Sequence, residues 1–249
     1  MPTGITKKLK LKFHGRVIDH LGIQMYQSPV AAIAELISNA WDADAEEVNI
    51  TLPAKAEPGA VIVIADTGNG MTFEECQERY LNVGYDCREG GTKAQSSEKK
   101  RPVLGRKGIG KFAGFGIAQI MAIDTTSRKN GERTVFELGL DRMRGEQYIE
   151  AGGEIDVTSY SPPSEEMKQM HGTKITLQDL SLQRAQSPEA FARSMSRRFL
   201  LAQRAADFKV LVNGAPIPAD SDLDGSEFVF PGAYEESERP PGMEIDSEG

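Results

Sequence analysis

The first stretch in which hydrophobic residues recur with a helical period begins near residue 30. Ser28 and Pro29 precede AAIAELISNAWDA, a run dominated by helix-forming residues. A serine at the N-cap and a proline at the first helical position are typical of a helix start, so we predict a helix over 29–43. A second helix is predicted over 72–81, where two glutamates in the first turn suit the positive end of the helix dipole.

After the first helix the pattern changes to short runs rich in β-branched residues. VNITL (48–52) and AVIVIAD (60–66) are joined through Pro58 and Gly59, and this short connection predicts an antiparallel pair of strands. From Gly110, the sequence FAGFGIAQIMAI predicts a glycine-interrupted helix that continues into a strand. Further strands are predicted at 133–140, 154–159, 173–177 and 208–212, and a helix at 187–204.

This order of elements predicts an α+β protein. Helices at the start, middle and end alternate with strands mostly joined by hairpin-length links, and no repeated βαβ pattern occurs, which favours a two-layer sandwich. Residues 84–101 lack a sustained period, so we predict a long loop that is either a functional lid or disordered. We divide the chain into one domain over 1–219 and an acidic tail or linker over 220–249.

Composition excludes several classes of protein. Of the 249 residues, 39% are hydrophobic and 27% charged, which does not fit a collagen, a coiled coil or a wholly disordered chain. No apolar run approaches the roughly 18–20 residues of a membrane helix, and the N-terminal sequence has no hydrophobic signal segment. We therefore expect a cytoplasmic protein without membrane contact. Cys76 and Cys87 are too few for a disulfide framework or a four-ligand zinc site.

The net charge of −8 hides two segments of opposite sign. Residues 220–249 hold ten acidic side chains and one arginine, which leaves the preceding part nearly neutral. Within that part, residues 88–111 hold eight lysines and arginines against two glutamates, in a segment rich in glycine and serine. This segment predicts a partner with phosphates, either a nucleotide or a nucleic acid, although a solvated loop would have the same composition.

Four polar sequences could carry chemistry, and the first lies in the first helix. Glu35, Asn39 and Asp42 are spaced by four and then three residues, so they share one helix face. A solvated polar face would explain them. However, Asn39 is a poor helix former, and the large apolar side chain of Trp41 is not expected to face solvent. We therefore also consider a site in which the carboxylate activates a water molecule and the carboxamide holds a divalent cation.

The second polar sequence, DTGNGM (66–71), follows the most hydrophobic strand. An aspartate at the end of a buried strand can accept a hydrogen bond from an exocyclic amine, and Gly68 and Gly70 would let the backbone approach a flat ligand. A plain Asp-Gly turn is the alternative. In HGTKITL (171–177), Thr173 begins a predicted strand and could point its hydroxyl inward, or the sequence could be an ordinary strand start.

The remaining polar sequence is GRKGIGK (105–111), at the start of the glycine-interrupted helix. Backbone N–H groups at successive glycines can converge on phosphate oxygens, and the N-terminus of a helix adds partial positive charge. Gly105, Gly110 and Lys111 nearly match a P-loop. Phe112 stands where a P-loop needs the hydroxyl that binds magnesium, and KKRPVL is a poor strand to precede it, so a P-loop is not predicted.

In this order, ELISNAWDA, DTGNGMT, GRKGIGKFAGFG and HGTKITL resemble the N-box, the two glycine boxes and the distal threonine motif of the GHKL ATPases. That superfamily comprises gyrase-type topoisomerases, the ninety-kilodalton heat-shock chaperone, sensor histidine kinases, MutL and microrchidia proteins. The motifs are most similar to the chaperone and to microrchidia-like ATPases, although Arg106 and Lys107 depart from the chaperone pattern. The resemblance implies the Bergerat-type ATP-binding fold, a two-layer α/β sandwich that contains a left-handed βαβ unit. Its mixed, mainly antiparallel sheet has helices on one face, and a lid covers about 84–110.

The resemblance also implies roles for individual residues. Glu35 matches the general base that polarises the attacking water, and Asn39 matches the ligand that holds Mg²⁺ against the triphosphate. Asp66 matches the acceptor of the adenine amino group, and Thr173 matches its water-bridged helper. Asp42 matches a less direct position that orients the helix. The other implied ATP contacts are Gly68, Gly70 and Met71 beside adenine, and Gly105, Lys107, Gly108, Ile109, Gly110 and Lys111 beside the phosphates, the lysines on charge alone.

These roles imply a Mg-dependent ATPase in which lid closure and homodimerisation form a slow switch. Fewer than 40 residues follow the last predicted strand, too few for the domain that supplies a catalytic lysine in topoisomerases and MutL, so we expect the ATPase module of a larger protein with low turnover. A histidine-kinase-type catalytic domain and a non-hydrolysing module that binds DNA or a client protein are the alternatives. No catalytic role is assigned to the three histidines, and basic residues 88–111 are assigned to the triphosphate and the lid.

Overall fold

The chain forms an α+β fold around one large sheet. A computed structural model describes residues 8–10, 28–82, 96, 98–104, 110–144, 153–182, 187–198 and 207–218. The strands are β1 (Lys8–Lys10), β2 (Glu47–Thr51), β3 (Ile62–Asp66), β4 (Ala118–Thr126), β5 (Arg133–Gly139), β6 (Glu154–Ser161), β7 (Gly172–Leu180), β8 (Lys209–Val212) and β9 (Ala215–Pro216). The α-helices are α1 (Pro29–Asp42), α2 (Phe73–Glu75), α3 (Leu140–Arg144) and α4 (Pro188–Arg198), with a π-helix at Cys76–Tyr80 and 3₁₀ helices at Gly110–Gly116 and Met167–Met170.

The sheet is mixed and mainly antiparallel, as predicted. Its strand order is β1-β6-β5-β4-β7-β3-β2-β8-β9. Only the pairing of β2 with β8 is parallel among the described strands. The predicted antiparallel pair is β2 and β3, where Ile50 lies opposite Ile64. Strand β1 and its pairing with β6 were not predicted from the sequence.

The register aligns hydrophobic side chains across the sheet. One row of directly paired residues crosses six strands, and all of its members are buried: Phe136, Ile123, Ile175, Ile64, Ile50 and Val212. A second row joins Leu138, Met121, Leu177 and Ile62. Because strand side chains alternate between faces, these rows form one continuous hydrophobic surface, and the helices cover it.

Helix α1 covers the centre of this surface. Its apolar positions Ile33, Leu36 and Ile37 are each at most 2% exposed, while Glu35 and Asn39 lie on its partly exposed side. The helix packs against the 3₁₀ helix Gly110–Gly116, β3 and α4. Two-layer packing of helices on one sheet face is therefore confirmed, and it places the polar face of α1 at the border of the core.

Local structure differs from the predictions in three helical segments. Ser28 occupies the N-cap position of α1, but its hydroxyl makes no capping hydrogen bond. The predicted helix 72–81 begins with a capping box between Thr72 and Glu75 and continues as the π-helix Cys76–Tyr80. The glycine-interrupted helix is a 3₁₀ helix, since glycine weakens α-helical propensity. For the helix predicted over 187–204, α4 covers 188–198, and 199–204 lie outside the described residues.

Candidate functional site

The partly exposed face of α1 carries Glu35 and, one turn further on, Asn39. Within the described part of the chain, neither side chain hydrogen-bonds to another residue, so both remain available to a ligand. Glu35 lies close to the start of the 3₁₀ helix: a Cβ atom on Gly110 would stand 2.7 Å from Glu35 Oε2. Only a residue without a side chain leaves the carboxylate undisturbed there. The fold therefore brings the first polar sequence against the glycine-rich one.

Asp66 ends β3, and its carboxylate is held by the backbone of two other motif residues. Asp66 Oδ1 accepts hydrogen bonds from the N–H groups of Gly68 at 2.8 Å and Thr173 at 3.3 Å. Burial raises the pKa of Asp66 from 3.8 to about 6, an effect that these two hydrogen bonds and the nearby His171 partly offset. At pH 7 the carboxylate is thus mainly ionised, and it can accept a hydrogen bond from an amino group.

The loop after Asp66 is tied to the C-terminal end of α1. Asn69 N donates to the carbonyl oxygen of Ala43 at 2.8 Å. A Cβ atom on Gly68 would stand 2.9 Å from that same oxygen, so glycine permits this close approach. Because Glu35 lies eight residues before Ala43, the loop and the Glu35 carboxylate are separated by about 12 Å along one helix. One helix therefore connects the proposed adenine end with the proposed phosphate end.

Thr125 on β4 organises the other side of this loop. Its hydroxyl accepts from Met71 N at 3.0 Å, lies 3.0 Å from Thr173 Oγ1 and 3.3 Å from the carbonyl oxygen of Gly172, and is fully buried. Gly70 has a φ of +56°, and a Cβ atom there would stand 1.9 Å from a carbonyl oxygen of the next residue on β4. Thr125 and the positive φ therefore fix the places of Gly70, Met71 and Thr173, and sequence reasoning did not identify Thr125.

His171, the residue directly before β7, closes the same loop. Its Nδ1 atom lies 2.7 Å from the carbonyl oxygen of Gly68. Since a carbonyl oxygen only accepts, Nδ1 carries the proton in this contact. The histidine therefore has a positioning role that the sequence analysis did not assign, and its place directly before the Gly-Thr pair was the available signal.

The glycine-rich sequence is described only at its end. Gly105, Lys107, Gly108 and Ile109 lie outside the described residues, as does most of the predicted lid over 84–110, and their predicted phosphate contacts stay predictions. Cys87, two of the three histidines and the acidic tail also lie outside the described residues. Lys111 Nζ donates to the carbonyl oxygens of Arg79 at 2.7 Å and Asn82 at 2.9 Å, so a phosphate contact would require it to leave these acceptors.

Part of the basic segment serves a different purpose from the one predicted. Lys99 Nζ lies 3.1 Å from both Glu46 Oε1 and Asp207 Oδ2, and Arg101 Nη2 lies 2.7 Å from Asp207 Oδ2. Both cations are therefore paired with acidic side chains and not directed at a triphosphate. Asp44, which has a φ of 60° and is 2% exposed, accepts from the N–H groups at 98 and 99 and was missed by the sequence analysis.

The donor groups fit a magnesium ion that is held mainly by its nucleotide. Mg²⁺ in ATP sites takes one or two protein oxygens together with phosphate oxygens and water. Asn39 offers one side-chain amide oxygen one turn from Glu35. Within the described residues, no cluster of three or more His, Cys, Asp or Glu side chains could form an all-protein metal site. Asn39 is thus the residue that would hold the metal.

Comparison with known proteins shows the family. Residues 26–173 match the family described as "Histidine kinase-, DNA gyrase B-, and HSP90-like ATPase". The chain therefore belongs to the GHKL ATPases, and the matched region contains Glu35, Asn39, Asp66, the glycine-rich sequence and Thr173.

One curated relative adds a comparison over most of the chain. It is a protein of Herpetosiphon aurantiacus named "Putative type II restriction enzyme HgiDII", 34% identical over 218 residues. The alignment covers 86% of this chain and 33% of the relative, so the chain spans about a third of that protein's length. In the described part of the chain, no helix is long and apolar enough to cross a membrane.

Proposed function

We propose that this domain binds Mg-ATP and hydrolyses it slowly, as the nucleotide-dependent switch of a larger protein. The observation that carries the proposal is the arrangement along α1. The Glu35 carboxylate has no hydrogen-bond partner among the described residues and lies against Gly110, and the loop that presents Asp66 is bonded to the end of the same helix. Adenine recognition and water activation therefore have separate, rigid supports on one element.

Asp66 selects the base in this proposal. Adenine offers an exocyclic amino group, which donates, whereas guanine offers a carbonyl oxygen at the equivalent place, which only accepts. An ionised Asp66 can accept from the former and would repel the latter. Its Oδ1 atom is occupied by two backbone N–H groups, which leaves Oδ2 for the base.

Glu35 acts on water. The water oxygen attacks the γ-phosphorus, the bond between that phosphorus and the oxygen of the ADP leaving group breaks, and the water proton passes to the Glu35 carboxylate. Magnesium, when bound with the nucleotide, supplies positive charge that neutralises the phosphate oxygens. Asn39 would hold the ion one helical turn from Glu35, so that the positive charge and the catalytic carboxylate could act on the same phosphate group.

Lid closure and homodimerisation complete the proposed cycle, with slow turnover by this domain alone. A DNA-related role for the larger protein is supported by the name of the Herpetosiphon relative, of which this chain spans about a third. A salt titration of duplex DNA affinity tests this part separately, because phosphate contacts weaken steeply with salt. A histidine-kinase activity has less support, because Glu35 stands at the position of a hydrolytic base.

Calorimetry and turnover together test the ATPase proposal. Wild-type protein should bind ATP and ADP with Mg²⁺ and should bind GTP much more weakly. Glu35→Gln keeps the shape of the side chain and removes the basic oxygen, so ATP affinity should persist while phosphate release falls by roughly 10²–10⁴-fold. Persistent hydrolysis by this variant would remove Glu35 from the mechanism, and phosphohistidine on a partner would favour the kinase alternative.

A further inference from the structure

Residues 98–104 are held against the C-terminal end of α1. Leu104 N donates to Asp42 Oδ1 at 2.8 Å, and Trp41 Nε1 donates to the carbonyl oxygen of Pro102 at 2.9 Å. These two bonds fix the residues that directly precede the glycine-rich sequence 105–110. They also explain why Trp41 is buried although it lies near the end of a partly exposed helix: the residue is only 8% exposed, and its indole N–H has an acceptor.

Arg101 is the buried anchor of this segment. Its guanidinium carbon lies 4.5 Å from the centroid of the Trp41 ring and 5.5 Å from that of Phe208. Nη1 donates to the carbonyl oxygen of Ala45 at 2.7 Å, and Nη2 donates to the carbonyl oxygen and Oδ2 of Asp207 at 2.8 and 2.7 Å. A planar guanidinium can stack on rings and reach several acceptors at once, whereas a lysine ammonium cannot reproduce this geometry.

The other end of the glycine-rich sequence lies against the same helix. Gly110 contacts Glu35, and Leu104 is bonded to Asp42. Glu35 and Asp42 are seven residues apart, which is about 10.5 Å along an α-helix. Asn39 lies between them on the same face. The chain therefore enters the glycine-rich sequence beside Asp42 and leaves it beside Glu35.

We propose that Trp41, Asp42 and Arg101, here called the Arg101 clamp, are positioning residues for the phosphate end of the nucleotide site. The clamp sets where the chain enters the glycine-rich sequence relative to Asn39 and Glu35. It acts through Leu104 and touches no nucleotide itself. This inference rests on the proposed ATP binding. It gives Arg101, which the sequence analysis assigned to the triphosphate and the lid, a specific role in positioning.

The test uses Arg101→Met, Arg101→Lys and Asp42→Ala in the full chain, with Arg142→Ala as the control. Arg142 forms an exposed ion pair with Asp156, and its removal should change nothing measured here. Affinities for Mg-ATP are measured by calorimetry, and those for AMP by ligand-observed NMR up to millimolar concentrations. Trp41 is the one tryptophan in the sequence, so its fluorescence emission reports directly on the clamp.

Loss of the clamp should weaken ATP binding selectively. If the chain, without the clamp, enters the glycine-rich sequence at the correct place in only about a tenth of the molecules, the apparent Kd for ATP rises roughly tenfold. The affinity for AMP then changes by less than about twofold. Arg101→Met should also shift Trp41 emission to the red, because the loss of the guanidinium bonds to Ala45 and Asp207 loosens this segment and lets water reach the ring. Arg101→Lys should resemble Arg101→Met, since charge without the planar group does not restore the geometry.

The outcomes separate the two proposals. An unchanged ratio of ATP to AMP affinity in folded Arg101→Met with red-shifted emission would mean that the clamp is only structural. Should Arg101→Met fail to fold, Asp42→Ala decides, because it removes the Leu104 acceptor and leaves the buried guanidinium contacts intact. Wild-type protein that binds no ATP would refute the proposed function itself and, with it, the basis of this inference.

Discussion

Replacing Asp66 with asparagine should separate stability from nucleotide recognition. Asparagine has the same shape, and its Oδ1 atom can still accept from the N–H groups of Gly68 and Thr173. Its second polar group, however, is a donor instead of an acceptor. The change therefore leaves the loop in place and reverses the hydrogen-bonding character of the group that faces the base.

The expected gain in stability follows from the pKa. Raising the pKa of Asp66 from 3.8 to about 6 corresponds to about 3 kcal/mol in favour of the protonated form in the folded state. The ionised carboxylate destabilises the free protein by up to that amount at pH 7, and partial contact of the side chain with solvent reduces the figure. Asp66→Asn should therefore raise the free energy of unfolding by ~1–3 kcal/mol at pH 7.

The pH dependence has a defined sign. Because the folded-state pKa exceeds the unfolded one, the folded protein binds more protons between about pH 4 and pH 6. Wild-type stability relative to Asp66→Asn should therefore fall as the pH rises through this window and stay constant above it. ATP affinity should change in the opposite direction, falling in the wild type as the pH drops through about 6, because the protonated carboxyl loses its acceptor role.

Urea unfolding and calorimetry at pH 4.5, 5.5, 6.5 and 7.5 provide the assay. The asparagine variant is the matched control for titration of the ATP phosphates, since the nucleotide is common to both proteins. At pH 7.5 ATP affinity should fall by tenfold or more, about 1.4 kcal/mol, and GTP affinity should rise. Equal ATP affinity for the two proteins, or a stability difference that does not vary with pH, would refute the assignment of Asp66 as a buried base acceptor.

Two further pairs of substitutions test the contacts that hold the loop after Asp66 in place. Gly70→Ala should destabilise by more than about 3 kcal/mol in thermal unfolding, since φ is +56° and a Cβ atom would stand 1.9 Å from the Thr126 carbonyl oxygen. Gly59→Ala, with a φ of +84° but open space around it, should cost only about 1 kcal/mol, and equal losses would contradict the steric argument. Thr125→Val should lose about 1–3 kcal/mol and weaken ATP binding, because a backbone N–H loses its buried acceptor. Thr134, directly opposite on β5, has a buried hydroxyl without a hydrogen-bond partner among the described residues. Thr134→Val should therefore leave stability unchanged or raise it by about 1 kcal/mol, and a loss would count against the hydrogen-bond assignment.

Local sequence signals predicted the elements that begin and end with strong capping or turn residues. Pro29 marked the start of α1, and Thr72 and Glu75 formed the expected capping region. Strands β2, β3, β5, β6, β7 and β8 were located to within a few residues, whereas β9 was not predicted. These elements depend on neighbours within four residues, which a single sequence reveals. Helices were predicted over 72–81 and from Gly110, but the π-helical form of Cys76–Tyr80 and the 3₁₀ form of Gly110–Gly116 were not.

The nucleotide contacts predicted for the candidate site stay predictions, but the structure brings several of the predicted residues together. Gly68 and Thr173 both donate backbone hydrogen bonds to Asp66, and Gly110 lies beside Glu35. Thr125 is an ordinary residue of a strand, and only its pairing opposite Thr173 places it in the site. Such residues carry no local signal, because their role arises from strand register.

The sequence by itself predicted the family and the two-layer α+β class, both of which are confirmed, and it named candidate nucleotide-binding residues whose contacts stay predictions. These follow from motif residues and hydrophobic periodicity, which are properties of short segments. Only the tertiary structure decided that Arg101 lies buried against Trp41 and Phe208, that Lys99 pairs with Glu46 and Asp207, and that β8 lies parallel to β2. The physical reason is that a run of charged residues has the same sequence pattern whether its side chains contact water, a phosphate or a carboxylate from a distant segment. Chain topology selects the partner.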